Sequence, residues 1–402
     1  MITSVQCCIA GGGPAGMMLG LLLARAGIEV LVLEKHRDFL RDFRGDTIHP
    51  STLQVLHELG MLDEFLKLPH QEVRELRAQF GETRIPIADF SGLPFPFIAM
   101  IPQWDFLDFV ARQAARYPGF TLTRQGEVVG LLEEDGEVRG VEADTPKGRI
   151  RVRADAVVGA DGRHSTVRDK ARLEVIDLGA PIDALWFRVS RRPSDPADTM
   201  GRFDRGSILV MLNRGDYWQC AFVIPKGSLE ILQKNGLEAF RSRIGALLPF
   251  AADRMGELAS WDDVKLLTVQ VNRLKEWCRP GLLCIGDAAH AMSPVGGVGI
   301  NLAIQDAVAT ANLLFQPLRA GRPGVEALRK VQKRREFPTR MTQRFQVLVQ
   351  NAILQRVLAD AGGPLQVPSA ARMLERFPFL RRIPARMIGV GVRPEHVRTP
   401  AA

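Results

Sequence analysis

Val5–Glu34 reads VQCCIAGGGPAGMMLGLLLARAGIEVLVLE, and the spacing of its apolar and glycine residues decides the fold. Val5 to Ala10 is a short apolar run of strand character that ends on three glycines. From Pro14 to Ala26 the apolar spacing is helical, with a proline in the first turn and Gly27 placed as the C′ residue. Ile28 to Leu33 is a second strand, β-branched and apolar, ending at Glu34. Strand, glycine turn, helix and strand in about thirty residues make a βαβ unit. Strands this uniformly apolar belong to a parallel sheet covered on both faces.

The turn carries the pattern G-x-G-x-x-G at Gly11, Gly13 and Gly16. The first glycine permits the tight turn, the second lets backbone approach a pyrophosphate, and the third lets helix and strand pack closely. Free N–H groups and the helix dipole favour a phosphate at that helix start. Glu34, at the end of the second strand, is placed to accept a hydrogen bond from an adenosine ribose hydroxyl. Together these predict a dinucleotide site without choosing between FAD and NAD.

Two later stretches make that choice. Gly159-Ala160-Asp161-Gly162-Arg163-His164-Ser165 follows a buried strand, and Gly286-Asp287-Ala288-Ala289-His290 follows another. An aspartate at a strand terminus can bind the hydroxyls of a polyol chain, which a flavin has and NAD lacks. The run Pro294-Val295-Gly296-Gly297-Val298-Gly299-Ile300-Asn301 then bares backbone amides at the start of a helix. Such a start stabilises negative charge on the N1–C2=O side of a reduced flavin.

In this order and spacing the three elements resemble the class A flavoprotein aromatic hydroxylases, the para-hydroxybenzoate hydroxylase-like monooxygenases, over roughly Val5 to Ala307. The resemblance implies an α/β fold: a Rossmann-like FAD-binding domain, a β-sheet substrate domain and a helical C-terminal region. It implies that Gly11, Gly13, Pro14, Ala15, Gly16, Glu34 and Lys35 hold the ADP half of FAD. Arg44 would lie near the pyrophosphate and Gln103 near the ribityl and adenosine region. Asp161 belongs to a motif associated with both FAD and NAD(P)H; Gly286 and Asp287 take the ribityl chain. Pro294, Gly297, Val298, Gly299, Ile300 and Asn301 would edge the isoalloxazine ring. The implied activity uses NADPH or NADH as transient co-substrate and O2, passing one oxygen atom from a flavin C4a-hydroperoxide to an electron-rich aromatic small molecule. The catalytic group is then the flavin itself.

The rest of the chain is ordinary globular sequence: 46% hydrophobic, 24% charged and net charge +8 over 402 residues. That length suits two or three domains. The boundaries read as 1–177 with 275–320 for the FAD-binding domain, 178–274 for the β-rich substrate domain and 321–402 for the C-terminal helical region. Residues 72–98 read as short strands contributed to the substrate domain. Val128 to Val141 and Arg149 to Val152 read as a hairpin, separate from a buried strand at Ala156 to Ala160. Arginine and lysine thicken after Arg319, through Arg334 and Arg335 to Arg386, and read as solvated helix faces without a nucleic-acid motif. No apolar run reaches spanning length, so no membrane contact is expected. Cys7, Cys8, Cys220, Cys278 and Cys284 form no metal-ligand spacing, and no metal is expected. An odd cysteine count without a signal peptide points to the cytoplasm, as a monomer or homodimer.

Trp186, Tyr217 and Trp218 are candidates for a substrate pocket, although aromatic residues on strands also build cores. His49, His57 and His164 read as solvated and His290 as structural; Asp306 reads as a group that fixes the glycine-rich turn. With only Tyr117 and Tyr217 available, a tyrosine-pair proton relay is not expected, and no base is assigned. The residues leave open a flavin-dependent reductase or epoxidase of an isoprenoid-type substrate, and an FAD-binding protein without turnover. The Trp-x-Trp-x-x-Pro string of halogenases is absent.

Overall fold

A computed structural model describes residues 2–40, 46–196, 198–204, 206–351 and 367–401. Its larger sheet has five parallel strands in the order Leu282–Cys284, Gly148–Gly159, Ile2–Ala10, Val30–Glu34 and Phe120–Arg124. Cys278–Arg279 adds antiparallel at one edge. The helix Pro14–Arg25 crosses this sheet with Met17, Met18, Leu19 and Leu21 to Leu23 fully buried. Each such side chain contributes about 1.5–3 kcal/mol by leaving water, so this one helix anchors the parallel core. It packs against Gln103–Ala114 and Gly299–Ala320.

The Arg149 to Val152 arm of the expected hairpin and the buried strand expected separately are one strand, Gly148–Gly159. Gly148 to Arg153 pair antiparallel with Glu137–Thr145, while Arg151 to Gly159 pair parallel with Ile2–Ala10 on the other side. Exposed and buried residues alternate from Arg149 to Asp155, and burial becomes continuous from Ala156. The periodicity changes because the helices cover only the second half, while the backbone pairing does not break.

A second, seven-stranded sheet orders Lys265–Leu267, Ile182–Ser190, Tyr217–Pro225, Ser207–Asn213, Met200–Asp204, Glu75–Phe80 and Thr83–Asp89. One face packs under Leu237–Leu247 and Pro249–Glu257, burying Leu185, Phe187, Leu209, Trp218, Phe222 and Phe240. Strand alternation puts Ile182, Trp186, Ile208, Tyr217 and Val223 on the other face. A small sheet of Thr47–Ile48, Ile98–Met100 and Gln71–Val73 sits near the junction.

The C-terminal part holds Val325–Val349, Ser369–Arg376 and Arg382–Gly389 as helices, but from Arg393 to Ala401 it runs as a non-helical strap. Val295–Ala320 is long and apolar enough to cross a membrane, contrary to the sequence reading, yet 61% of its apolar window is buried inside the protein. It is a core element, packed between the glycine-loop helix and Val325–Val349. The basic stretch is not all solvated either. Arg335 is 1% exposed and paired with Asp306.

Candidate functional site

All three motifs fall at the carboxyl ends of the parallel strands, where ligands bind in open α/β sheets. Gly11 has φ +104° and hydrogen-bonds through its N–H to the Leu33 carbonyl. A Cβ there would lie 2.4 Å from the carbonyl oxygen of Ala160, so the first turn is pressed against the second motif. Gly16 is closer still, with a built Cβ 1.9 Å from the Gly11 oxygen. Gly286, at φ +58°, packs against Ala15 and Ala303, which brings the third motif onto the first.

Glu34 locks this loop. One carboxylate oxygen accepts the Gly12 N–H at 2.8 Å and the other the His36 N–H at 3.0 Å. Lys35 beside it is exposed. Asp161 has a local task too: its oxygens accept from Ser165 Oγ at 2.5 Å and the Val167 N–H at 3.0 Å. Burial raises its pKa, and the hydrogen bonds from Ser165 and the nearby backbone oppose the shift. Both residues build the shape of the cradle. Asp287 differs, being half-buried with a long ion pair of 3.7 Å to Arg163.

The cradle suits FAD on structural grounds. At Gly13, which caps the helix Pro14–Arg25, an added Cβ meets no protein atom within 4 Å, and no side chain caps that helix start. Amides that no side chain caps, beside open space, fit a pyrophosphate. Gly299–Ala320 likewise begins without a side-chain cap, after Gly296 and Gly297 in left-handed conformations.

Asn301 fixes this second helix start. Its Oδ1 accepts the His49 N–H at 2.9 Å and the Thr52 hydroxyl at 2.7 Å, and its Nδ2 donates to the Thr47 carbonyl at 3.1 Å. Thr47 Oγ1 donates to the Gly297 carbonyl at 3.0 Å. Behind the turn, Asp306 accepts the Gly286 N–H at 3.1 Å, meets His290 Nε2 at 2.5 Å and pairs with Arg335 Nε at 2.9 Å. Burial raises the pKa of Asp306, but His290 and Arg335 outweigh it and hold the carboxyl below its usual range.

Val295 packs with Ile182, Ile208 and Val223, on the sheet face that also carries Trp186 and Tyr217. The turn Pro294–Asn301 therefore stands between the cradle and that face. Trp218 does not belong there: it is fully buried on the opposite face, its Nε1–H donating to Asp195 at 3.0 Å. Neighbouring residues of a strand point to opposite sides, so Tyr217 and Trp218 could not both line one pocket. Gln103 begins its helix, and its N–H donates to Asp46 at 3.2 Å. Arg44 lies outside the described residues.

Three residues at this junction escaped sequence reasoning. His49 is fully buried rather than solvated. Asp46 forms a buried ion pair with Arg214, which follows Ser207–Asn213, tying the seven-stranded sheet to the segment before Thr47–Ile48. No local pattern marks either partner; the His-Pro step before a helix was the available signal for His49, since histidine there is the N-cap.

The family described as FAD binding domain matches residues 4–345. The 6-methylpretetramide 4-monooxygenase of Streptomyces rimosus is 34% identical over 400 residues, spanning 98% of this chain and 94% of that protein. Among solved structures, p-nitrophenol 4-monooxygenase PnpA from Pseudomonas putida superposes with TM-score 0.75 at 20% identity, covering 95% of this chain and 97% of that one. OxyS anhydrotetracycline hydroxylase from Streptomyces rimosus gives TM-score 0.74 at 22% identity, covering 97% of this chain and 77% of that one. At such identities these two likenesses speak for the fold.

Proposed function

The chain belongs to the FAD binding domain family, and from that premise we propose that it is an FAD-dependent monooxygenase that hydroxylates an aromatic small molecule with NAD(P)H and O2. One observation carries the reading: the turn Pro294–Asn301 has the cofactor cradle on one side and the Trp186–Tyr217 sheet face on the other. A ring held on that face would lie against the turn that edges the flavin. The relative that is 34% identical is named as a 6-methylpretetramide 4-monooxygenase, which supports the monooxygenase reading.

The chemistry that FAD supplies when bound is hydride acceptance from NAD(P)H and transfer of one oxygen atom from O2. The protein's part is binding, orientation and exclusion of water. The amides after Gly13 would hold the pyrophosphate, and Glu34, whose carboxylate is bonded to Gly12 at the same turn, would hold the ribose. Asp287 would accept from the ribityl hydroxyls, and the uncapped start of Gly299–Ala320 would supply amides to the ring. Ile182, Ile208 and Val295 keep the reacting face dry. Five buried cysteines, none in a disulfide, support a cytoplasmic setting.

The test is NADH and NADPH oxidation by the holoenzyme across a panel of phenols and N-heteroaromatics, with product mass. Gain of one oxygen atom, with flavin reduction stimulated by the ring compound, is the expected result. Release of all reducing equivalents as peroxide would refute oxygen transfer, and a flavin that neither nicotinamide reduces would indicate a binding protein without turnover.

A further inference from the structure

His49 follows the strand Thr47–Ile48 directly and caps the helix Pro50–Glu58, so its backbone is held from both sides. Its ring is held as well. Nδ1 lies 2.7 Å from the carbonyl oxygen of Ile388, in the C-terminal helix Arg382–Gly389. A carbonyl only accepts, so Nδ1 carries the proton and Nε2 is left with a lone pair. Nε2 is buried and has no hydrogen-bond partner among the described residues. It lies 3.5 Å from where a Cβ on Gly297 would stand, next to the turn that edges the flavin.

The surroundings are apolar. Ile388 packs against the cluster that includes Ile98 and Met100, and so does Leu212, whose side chain is on the same sheet face as Trp186 and Tyr217. The Cγ1 atom of Ile388 is also 3.8 Å from a Cβ built on Gly296. A buried acceptor without a donor is costly, and native structures keep few of them without a purpose. The flavin's electron-rich edge calls for donors, which the amides at the start of Gly299–Ala320 provide. A fixed acceptor beside that turn, next to the substrate face, complements a donor on the other reactant.

We propose that His49 Nε2 accepts the hydrogen bond of a hydroxyl or amino group on the ring substrate and thereby selects which rings are taken. The inference rests on the monooxygenase reading. Burial drives the imidazole pKa down to about 4, against the Ile388 hydrogen bond that raises it. Complete proton transfer from a phenol of pKa about 10 to such a group is disfavoured by roughly six powers of ten. His49 is therefore an acceptor that polarises the O–H bond and orients the ring, and not a base.

The test titrates the FAD-loaded enzyme with phenols and with their O-methyl ethers, reading the perturbation of the flavin spectrum. The wild type should prefer the phenol by about 10- to 100-fold, since the ether leaves the buried acceptor unpaired. In His49→Phe the preference should fall to within about threefold, with the FAD dissociation constant changed by no more than about threefold; His49→Gln, which keeps an acceptor, should recover part of it. A preference that persists in His49→Phe overturns the proposal, and so does a loss of FAD affinity with the preference intact. Should His49→Phe not fold, the 15N resonance of Nε2 in labelled wild type decides: it should move when a phenol binds and not when the ether does. Phenols that bind with the expected preference and are never oxygenated would refute the monooxygenase reading alone. If no phenol or arylamine perturbs the flavin, both readings fall.

Discussion

An added methyl group at Gly13 would meet nothing within 4 Å, whereas at Gly11 it would fall 2.4 Å from the Ala160 oxygen, on a backbone already at φ +104°. The two substitutions should therefore separate fold from cofactor. Gly13→Ala is expected to cost the apoprotein less than about 1 kcal/mol, the price of a poorer N-cap, yet weaken FAD at least tenfold by filling its space. Gly11→Ala should cost about 3 kcal/mol or more, through strain and backbone overlap. Urea unfolding of apoprotein and fluorescence titration with FAD measure both; full FAD affinity in Gly13→Ala would remove the pyrophosphate from that place. His49 makes a second prediction. Its pKa is about 4 when folded and about 6.5 when unfolded, so below 6.5 the unfolded chain takes up a proton that the folded protein refuses. The stability linked to His49 is thus complete above about pH 6.5 and lost as pH falls toward 4, at about 1.4 kcal/mol per pH unit and on the order of 3 kcal/mol in all. His49→Phe should flatten the unfolding free energy across that window relative to wild type; parallel curves would refute the assignment. The glycines were legible because tight turns and close approach are local demands. His49 was not, because its burial is imposed by Asn301 and Ile388, 252 and 339 residues away.

Among the elements, the helix Gly299–Ala320 shows how a local pattern is put to use by distant ones. Its start packs against Gly286, while Asp306, about two turns further on, reaches back to the Gly286 N–H and outward to His290 and Arg335. The sequence showed the turn and the helix, and suggested that Asp306 fixes the one to the other. It could not show that Arg335, set in a run of basic residues, leaves solvent to neutralise Asp306, because its neighbours Arg334 and Lys333 stay exposed. Removing the carboxylate leaves the buried Arg335 with only its longer 3.4 Å contact to Glu395, a loss of up to about 3–5 kcal/mol. Asp306→Ala should show that loss in chemical denaturation and weaken FAD as the Gly286 turn loosens; Asp306→Asn, which keeps an acceptor for Gly286, should retain more of the FAD affinity. Equal FAD binding by wild type and Asp306→Ala would mean that the turn holds its shape unaided. The strand Gly148–Gly159 was misread for a related reason. Alternation reports which neighbours cover a strand, and that cover changes halfway along a single hydrogen-bonded element.

At the scale of the molecule, the parts most distant in sequence are joined by charge and by the terminal strap. Arg214 and Asp46 link the seven-stranded sheet to the segment before His49, with both side chains at most 5% exposed. The strap crosses the other side. Glu395 accepts from Arg334 at 2.7 Å and Arg335 at 3.4 Å, and its N–H donates to Gln305. Val397 donates to Glu58 at 2.8 Å, Arg398 donates to Asn312 at 2.8 Å, and the Thr399 carbonyl accepts from Arg25 at 2.8 Å. These ties reach the glycine-loop helix, the helix after His49 and the helix carrying Asp306. At roughly 1 kcal/mol for each hydrogen bond, and more for the charged ones, the strap contributes more than about 3 kcal/mol to a core it follows in the chain. Truncation after Gly391 should therefore lower the unfolding free energy by at least that amount. It should also lower FAD content, because Arg335 loses Glu395 and Asp306 is held less firmly. Removing only Ala401 and Ala402 leaves every one of these bonds in place and serves as the control. If both truncations unfold at the same denaturant concentration, the strap lies on the surface without supporting it, and His290 and Arg335 hold Asp306 without help from Glu395.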